Sequence, residues 1–109
     1  MPWLLRDGEV LASLEVADDR RARRKGLLGR NGIDGALLLS PARSVHSIGM
    51  RFPIDVAWLD GDLTVLRTDR LPRNRMTRPV LRARGVLEAE AGAFARWGLH
   101  VGDHLERKD

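Results

Sequence analysis

Within SVHSIGMRFPIDVAWLD, residues 44–60, a histidine, an arginine and an aspartate stand at His46, Arg51 and Asp55 among largely apolar neighbours. These types could serve acid–base chemistry, with an imidazole as base, a carboxylate orienting it and a guanidinium stabilising a developing anion. They could equally hold a ligand, with Met50 adding a soft, adaptable contact and Ser47 a hydroxyl. If residues 44–52 are extended, His46, Ile48, Met50 and Phe52 share one face, and Val45, Ser47, Gly49 and Arg51 the other. The plain alternative for His46 is a neutral core histidine whose ring nitrogens are satisfied by backbone or hydroxyl groups.

Asp55 opens a second question. Ile54, Val56 and Trp58 alternate with Asp55, Ala57 and Leu59, so both faces of that strand are largely apolar and Asp55 must be at least partly buried. An ionised carboxylate there needs partners. Arg51 is nearest in sequence, His46 could reach it across a strand pair, and the N–H groups of the bend at Pro53 would make its role structural. Glu88, inside GVLEAE, is a further candidate, read either as a site residue or as an exposed or hydrogen-bonded strand residue.

Other chemistries find little support. Ser44 and Ser47 lack the Gly-x-Ser-x-Gly setting of an activated nucleophile. No phosphate loop, dinucleotide fingerprint or His-Glu-x-x-His pattern occurs. His100 and His104 are four apart, but in a strand that spacing is about 13 Å, too far to share an ion. No catalytic residue, metal or cofactor is therefore assigned.

The elements that must position these residues are mostly strands. EVLASLEVA alternates, with Val10, Ala12, Leu14 and Val16 on one face. DDRRARRKGLLGRNG reads as a helix of two to three turns, capped by Asp18 or Asp19 and ended by Gly29 or Gly32. GALLLS is a short buried strand. IDVAWLDGDLTVLRTD is a hairpin about Asp-Gly, whose residues supply positive backbone angles. RLPRNRMTRPVLRARG has six arginines and two prolines without apolar period, hence a long loop. GVLEAE is a strand, AGAFARWGL a short helix stopped by Gly98, and HVGDHLE a final strand. The pattern predicts a mainly β domain (α+β by content), a small β-barrel or β-sandwich with one or two short helices.

At 109 residues the chain makes one domain, residues 1–109, and its apolar share of 43% allows one modest core. The absence of cysteine excludes a disulfide framework and thiol chemistry. No segment has the length and hydropathy of a membrane span, and MPWLLRDGEV lacks the form of a signal peptide, so a soluble, cytoplasmic protein is expected. The net charge of +4 comes almost wholly from arginine, with lysine at positions 25 and 108. RRARRK and the arginine-rich loop could converge on nucleic acid, but nothing interleaves aromatics with the basic residues, and solvated surface is the better reading.

The run VHSIGMRFPIDVAWLD, preceded by RARRKGLLGR and GALLL and followed by VLEAEAG and GLHVGD, resembles the domain-of-unknown-function family 192 from about Glu9 to Leu105. The resemblance implies a compact, mostly β fold and no established activity, cofactor or substrate. His46 stands where many relatives carry tryptophan, and Gly49 where they carry asparagine. The residues and the resemblance together lead to a non-catalytic module binding a small anionic or sugar-like ligand, or a protein partner, near His46–Asp55. His46, Arg51 and Asp55 lead the candidates, followed by Ser47, Met50 and Glu88. Acid–base catalysis by His46, Asp55 and Arg51, and nucleic-acid binding, are the alternatives.

Overall fold

In the computed structural model, which describes residues 2–109, the alternating segment from Glu9 to Ala17 forms the longest strand. The strands are β1 (Trp3–Arg6), β2 (Glu9–Ala17), β3 (Ala36–Leu39), β4 (Ile54–Leu59), β5 (Val65–Leu71), β6 (Gly85–Glu90) and β7 (Leu105–Lys108). The helices are α1 (Arg20–Lys25) and α2 (Ala93–Trp97). All seven strands belong to one sheet in the order β5-β4-β6-β3-β2-β1-β7. Neighbours are antiparallel except β2 and β3, which run parallel because α1 carries the chain back between them.

The mainly β class expected from the sequence is what forms, but the sheet is not closed into a barrel. Its edges approach at one end, where Thr64 and His104 make an isolated bridge. There Val65 N–H also donates to Asp103 O at 2.8 Å. The sheet thereby curls around one apolar cluster, to which Leu4, Leu14, Leu59, Val65, Leu105 and Phe94 of α2 contribute. A second cluster lies on the opposite face, where Leu27, Ile33 and Met50 cover Leu37, Leu39, Val56, Trp58 and Val86. Strands β3 and β4 are buried along their whole length, so they lie between two apolar layers.

Local chemistry accounts for the departures from the sequence reading. Strand β1 was not expected. Asp7 and Gly8 turn it into β2 with φ of 53° and 80°, the positive pair that suits a two-residue hairpin. A β-bulge opposite Leu4–Leu5 breaks the alternation of β2, so Leu11 packs inward and Val10 is exposed. The hairpin at Asp60–Asp62 is present, but its positive φ (64°) falls on Leu63. The Asp60 side chain accepts from the N–H groups of Asp62 and Thr64, fixing the turn without a left-handed glycine.

Helix α1 is shorter than expected. Asp19 caps it by accepting from Ala22 N–H at 2.8 Å, and it stops at Gly26, before Gly29 and Gly32. Residues 44–52 do not form the extended strand on which the shared face of His46 and Met50 depended. They form bends and a turn with one bridge, His46 to Met76. Pro53 and Gly49 (φ 80°) fit that irregular path.

Candidate functional site

The pleat separates the sheet's two buried carboxyl groups. In β4, Ile54 and Val56 side chains join the second cluster, so Asp55 between them points to the first. In β6, Leu87 and Ala89 pack in the first cluster, so Glu88 points to the second. The two acids therefore occupy opposite faces.

Asp55 is 4% exposed and fully engaged. Its Oδ1 accepts from Arg70 Nε at 3.1 Å. Its Oδ2 accepts from the N–H groups of Gly92 and Phe94 at 3.0 and 3.1 Å. Helix α2 has no side-chain cap of its own, and the β4 carboxylate satisfies its first donors from the adjacent sheet. The partners expected from the sequence are not those used. Arg51 Nη1 instead donates to Asn31 Oδ1 at 2.9 Å on the surface. The bend at Pro53 is likewise replaced by the start of α2.

Glu88 is 2% exposed, and among the described residues its Oε1 has no hydrogen-bond partner. Burial pushes its carboxyl up to about 7. The group lines a cavity of about 260 Å³ between the sheet, the end of α1 and the 44–50 loop. Gly26 passes directly over it: a Cβ there would lie 3.6 Å from Oε1. With φ 47° and ψ −124°, Gly26 holds a backbone conformation that a side chain resists, which lets α1 end above the acid.

His46 and Met50 line the same cavity, as do Arg24, Lys25 and Leu28. Ile48 N–H donates to His46 Nδ1 at 3.2 Å. With Nδ1 accepting, the neutral ring carries its proton on Nε2 and can donate to an occupant. Arg23 Nη1 is committed to Asp18 O, whereas Arg24 and Lys25 are exposed and form no ion pair among the described residues.

Ser47 is 0% exposed and structural. Its hydroxyl donates to Pro72 O and accepts from Arg75 N–H, and Gly49 N–H donates to Asn74 Oδ1. Together with Arg73 Nε donating to Met50 O at 3.0 Å, these bonds fasten the 44–50 loop to the arginine-rich segment. The arginines of that segment themselves remain exposed.

Of the six residues selected from sequence, the structure brings His46, Met50 and Glu88 to one cavity. Ser47 braces the loop behind it, and Arg51 and Asp55 lie apart. His46, Arg51 and Asp55 share no concavity, so the acid–base constellation is not assembled. Sequence reasoning missed the covering role of α1, because nothing in RRARRK reveals which face of the sheet a crossover helix will occupy. Arg70 was missed as well. Its place opposite Asp55 depends on a β-bulge between Trp58 and Leu59, because counting back from the Leu59–Val65 pair alone would bring Asp69 there. No group of three or more metal-ligating side chains occurs among the described residues. Asp103 is instead tied to His100 N–H and Arg6, which hold its carboxyl below the ordinary range.

A curled, mainly β sheet with a covered cavity on its outer face defines a small β-rich protein. The chain belongs to the DUF192 family, described as "Uncharacterized ACR", whose model matches residues 4–107. No curated protein matches it in sequence. It is similar in fold to a protein of unknown function from Novosphingobium aromaticivorans DSM 12444, with TM-score 0.80 and 20% identity over 96% of this chain and 83% of that one. It is also similar to a Sinorhizobium meliloti 1021 protein described as a "putative transcription regulator". There the TM-score is 0.79 and the identity 24%, over 97% of this chain and 91% of that one.

Proposed function

We propose that the protein is a non-catalytic module that binds a small anionic or sugar-like molecule in the cavity floored by Glu88. One observation carries this reading: a buried glutamate that lines a cavity and has a carboxyl oxygen without a partner. A buried polar group left unsatisfied costs about 1–3 kcal/mol, and a ligand that pairs with it recovers that cost. The remaining lining suits recognition: apolar walls from Leu28 and Met50, a histidine donor, and basic residues at the open side. His46 is hydrogen-bonded to a backbone N–H with no carboxylate orienting it, which favours binding over acid–base turnover.

The reading includes a cytoplasmic location and a single functional domain. No helix among the described residues is long and apolar enough to cross a membrane. A nucleic-acid role, suggested by the name of the Sinorhizobium neighbour for that protein, has weaker support. Trp3 is the one aromatic among the strongly exposed large apolar residues, so stacking surface is scarce.

The test is titration of isotope-labelled protein with a panel of small anionic metabolites, sugars and acidic glycans, followed by backbone amide shifts. Binding is expected to move amides of residues 23–28, 44–50 and 88 together. A panel that moves none of them, or moves only the arginine-rich segment with short DNA in a salt-dependent manner, overturns the reading.

A further inference from the structure

We infer that the occupant is a hydroxylated acid, an acidic sugar or a hydroxy acid, seated with a hydroxyl on Glu88 and its anionic group at Arg24 and Lys25. This deepens the proposed binding role and rests on it.

The argument is one of donors and acceptors. Arg24 and Lys25 can only donate, and the tautomer fixed at His46 leaves Nε2 as a donor. Glu88 in its acid form adds another donor while still accepting. The cavity is therefore rich in donors, and its occupant must be rich in acceptors. Charge sorts the same way. The exposed lining is cationic, so an ammonium ligand would meet repulsion at the entrance and need an ionised acid at the floor. A carboxylate or phosphate meets attraction at the entrance, and its hydroxyl needs only a neutral acid within. Leu27, Leu28, Leu39 and Met50 offer apolar contact to the C–H face of a sugar ring.

The surroundings of Glu88 make this binding depend on its proton. Arg23, Arg24 and Lys25 face the cavity from α1 and His46 from the loop. Along β6, Glu90 is occupied by Arg96 at 2.7 Å. The neighbouring strands present Leu37 and Val56 opposite Glu88 and bring no charge. Burial keeps Glu88 protonated up to about 7, so the acid form predominates in mildly acidic solution. Above that value the occupant's hydroxyl meets an ionised acid and its anionic group adds repulsion.

Three probes of one skeleton separate the outcomes: glucuronate, glucose and glucosamine, each titrated calorimetrically and by amide shifts at pH 6 and pH 8. Glucuronate is expected to bind most tightly, and its affinity to fall roughly tenfold from pH 6 to pH 8, following the acid fraction of a group titrating near 7. Glu88→Gln, which keeps a donor but cannot ionise, should bind glucuronate with no such pH dependence when combined with His46→Gln, which removes the imidazole's own response to pH. His46→Gln alone should bind more weakly and keep the dependence that Glu88 confers. Arg24→Gln with Lys25→Gln should remove the preference for glucuronate over glucose. Thermal unfolding of each variant confirms folding.

A preference for glucosamine, an affinity that rises with pH, or a pH dependence that survives in Glu88→Gln combined with His46→Gln overturns this assignment while leaving a binding role in place. Failure of all three sugars to move any cavity amide overturns this assignment, and the binding role falls with it only if the wider panel of anionic metabolites and acidic glycans fails as well.

Discussion

Asp55 and Glu88 sit on adjacent strands of one sheet, one register step apart, since Val56 is the Cα partner of Glu88. Both are almost inaccessible to solvent. Asp55 accepts three hydrogen bonds, two of them from the first turn of α2, so its charge is balanced by fixed donors. Glu88 faces a cavity, with Oε1 unpaired and titration displaced to about 7. Equal burial therefore says little about role. A carboxyl with all its acceptor capacity used internally is a structural joint, while one with spare capacity beside empty space is available to something from outside.

The comparison can be broken most forcefully at Asp55. Replacing it with alanine strips two backbone donors of α2 of a charged acceptor, at a cost of about 4 kcal/mol from two charge-assisted bonds. For a chain of this length that lowers Tm by roughly 15–30 °C, measurable by calorimetry. Ligand contacts at the Glu88 cavity should be unchanged in the fraction that remains folded.

At Glu88 the expected effect is a pH profile. Its titration is raised from 4.5 to about 7 in the folded protein. Between those values the folded state holds the proton that the unfolded chain releases. The stabilisation is complete below 4.5 and is lost as pH rises through 7, amounting to about 3 kcal/mol. Subtracting the stability curve of Glu88→Gln from that of the natural protein isolates this term. A difference that stays flat from pH 4 to pH 8 removes the distinction between the two acids.

Smaller effects sharpen it. Gly26→Ala forces a side chain into an unfavourable backbone region above the cavity, costing about 2 kcal/mol in denaturant unfolding and obstructing the occupant. Arg70→Ala removes the exposed side of the Asp55 pairing and should cost only about 0.5 kcal/mol, because the α2 donors remain. A loss near that of Asp55→Ala would mean that the guanidinium, not α2, balances the carboxylate.

Much of the scaffold was legible because it rests on local signals: the alternation of β2, the turn at Asp60–Asp62, the apolar run of β3 and the stop at Gly98. The burial of Asp55 followed from apolar residues on both sides of it in β4. Its partners did not, since Gly92 and Phe94 lie 37 and 39 residues away and act through backbone groups that no residue type announces. The pairing with Arg70 was hidden too, because a β-bulge between Trp58 and Leu59 shifts the register of an otherwise recognised hairpin by one residue. Strand β1 was overlooked although Asp7-Gly8 carried the same turn chemistry used to find the later hairpin.

For the site, the segment centred on His46 drew attention through its side chains, but the strand geometry read into it was wrong. Ser47, Asn74 and Arg75 bind the loop across a gap in sequence that periodicity does not register. Glu88 was visible as a charge inside an apolar strand. Its importance was not, because the missing partner is a property of three-dimensional surroundings. The helix that covers it contributes a glycine and exposed basic residues, which read in sequence as an ordinary solvated surface.

The central claim is that Glu88 is a buried, unpaired acid facing an accessible cavity, and its side-chain carboxyl carbon reports this directly. A pH titration of that carbon by NMR should give a midpoint near 7, which moves upward when glucuronate is added. A midpoint in the ordinary glutamate range, about 4.3, unmoved by any occupant, would contradict it.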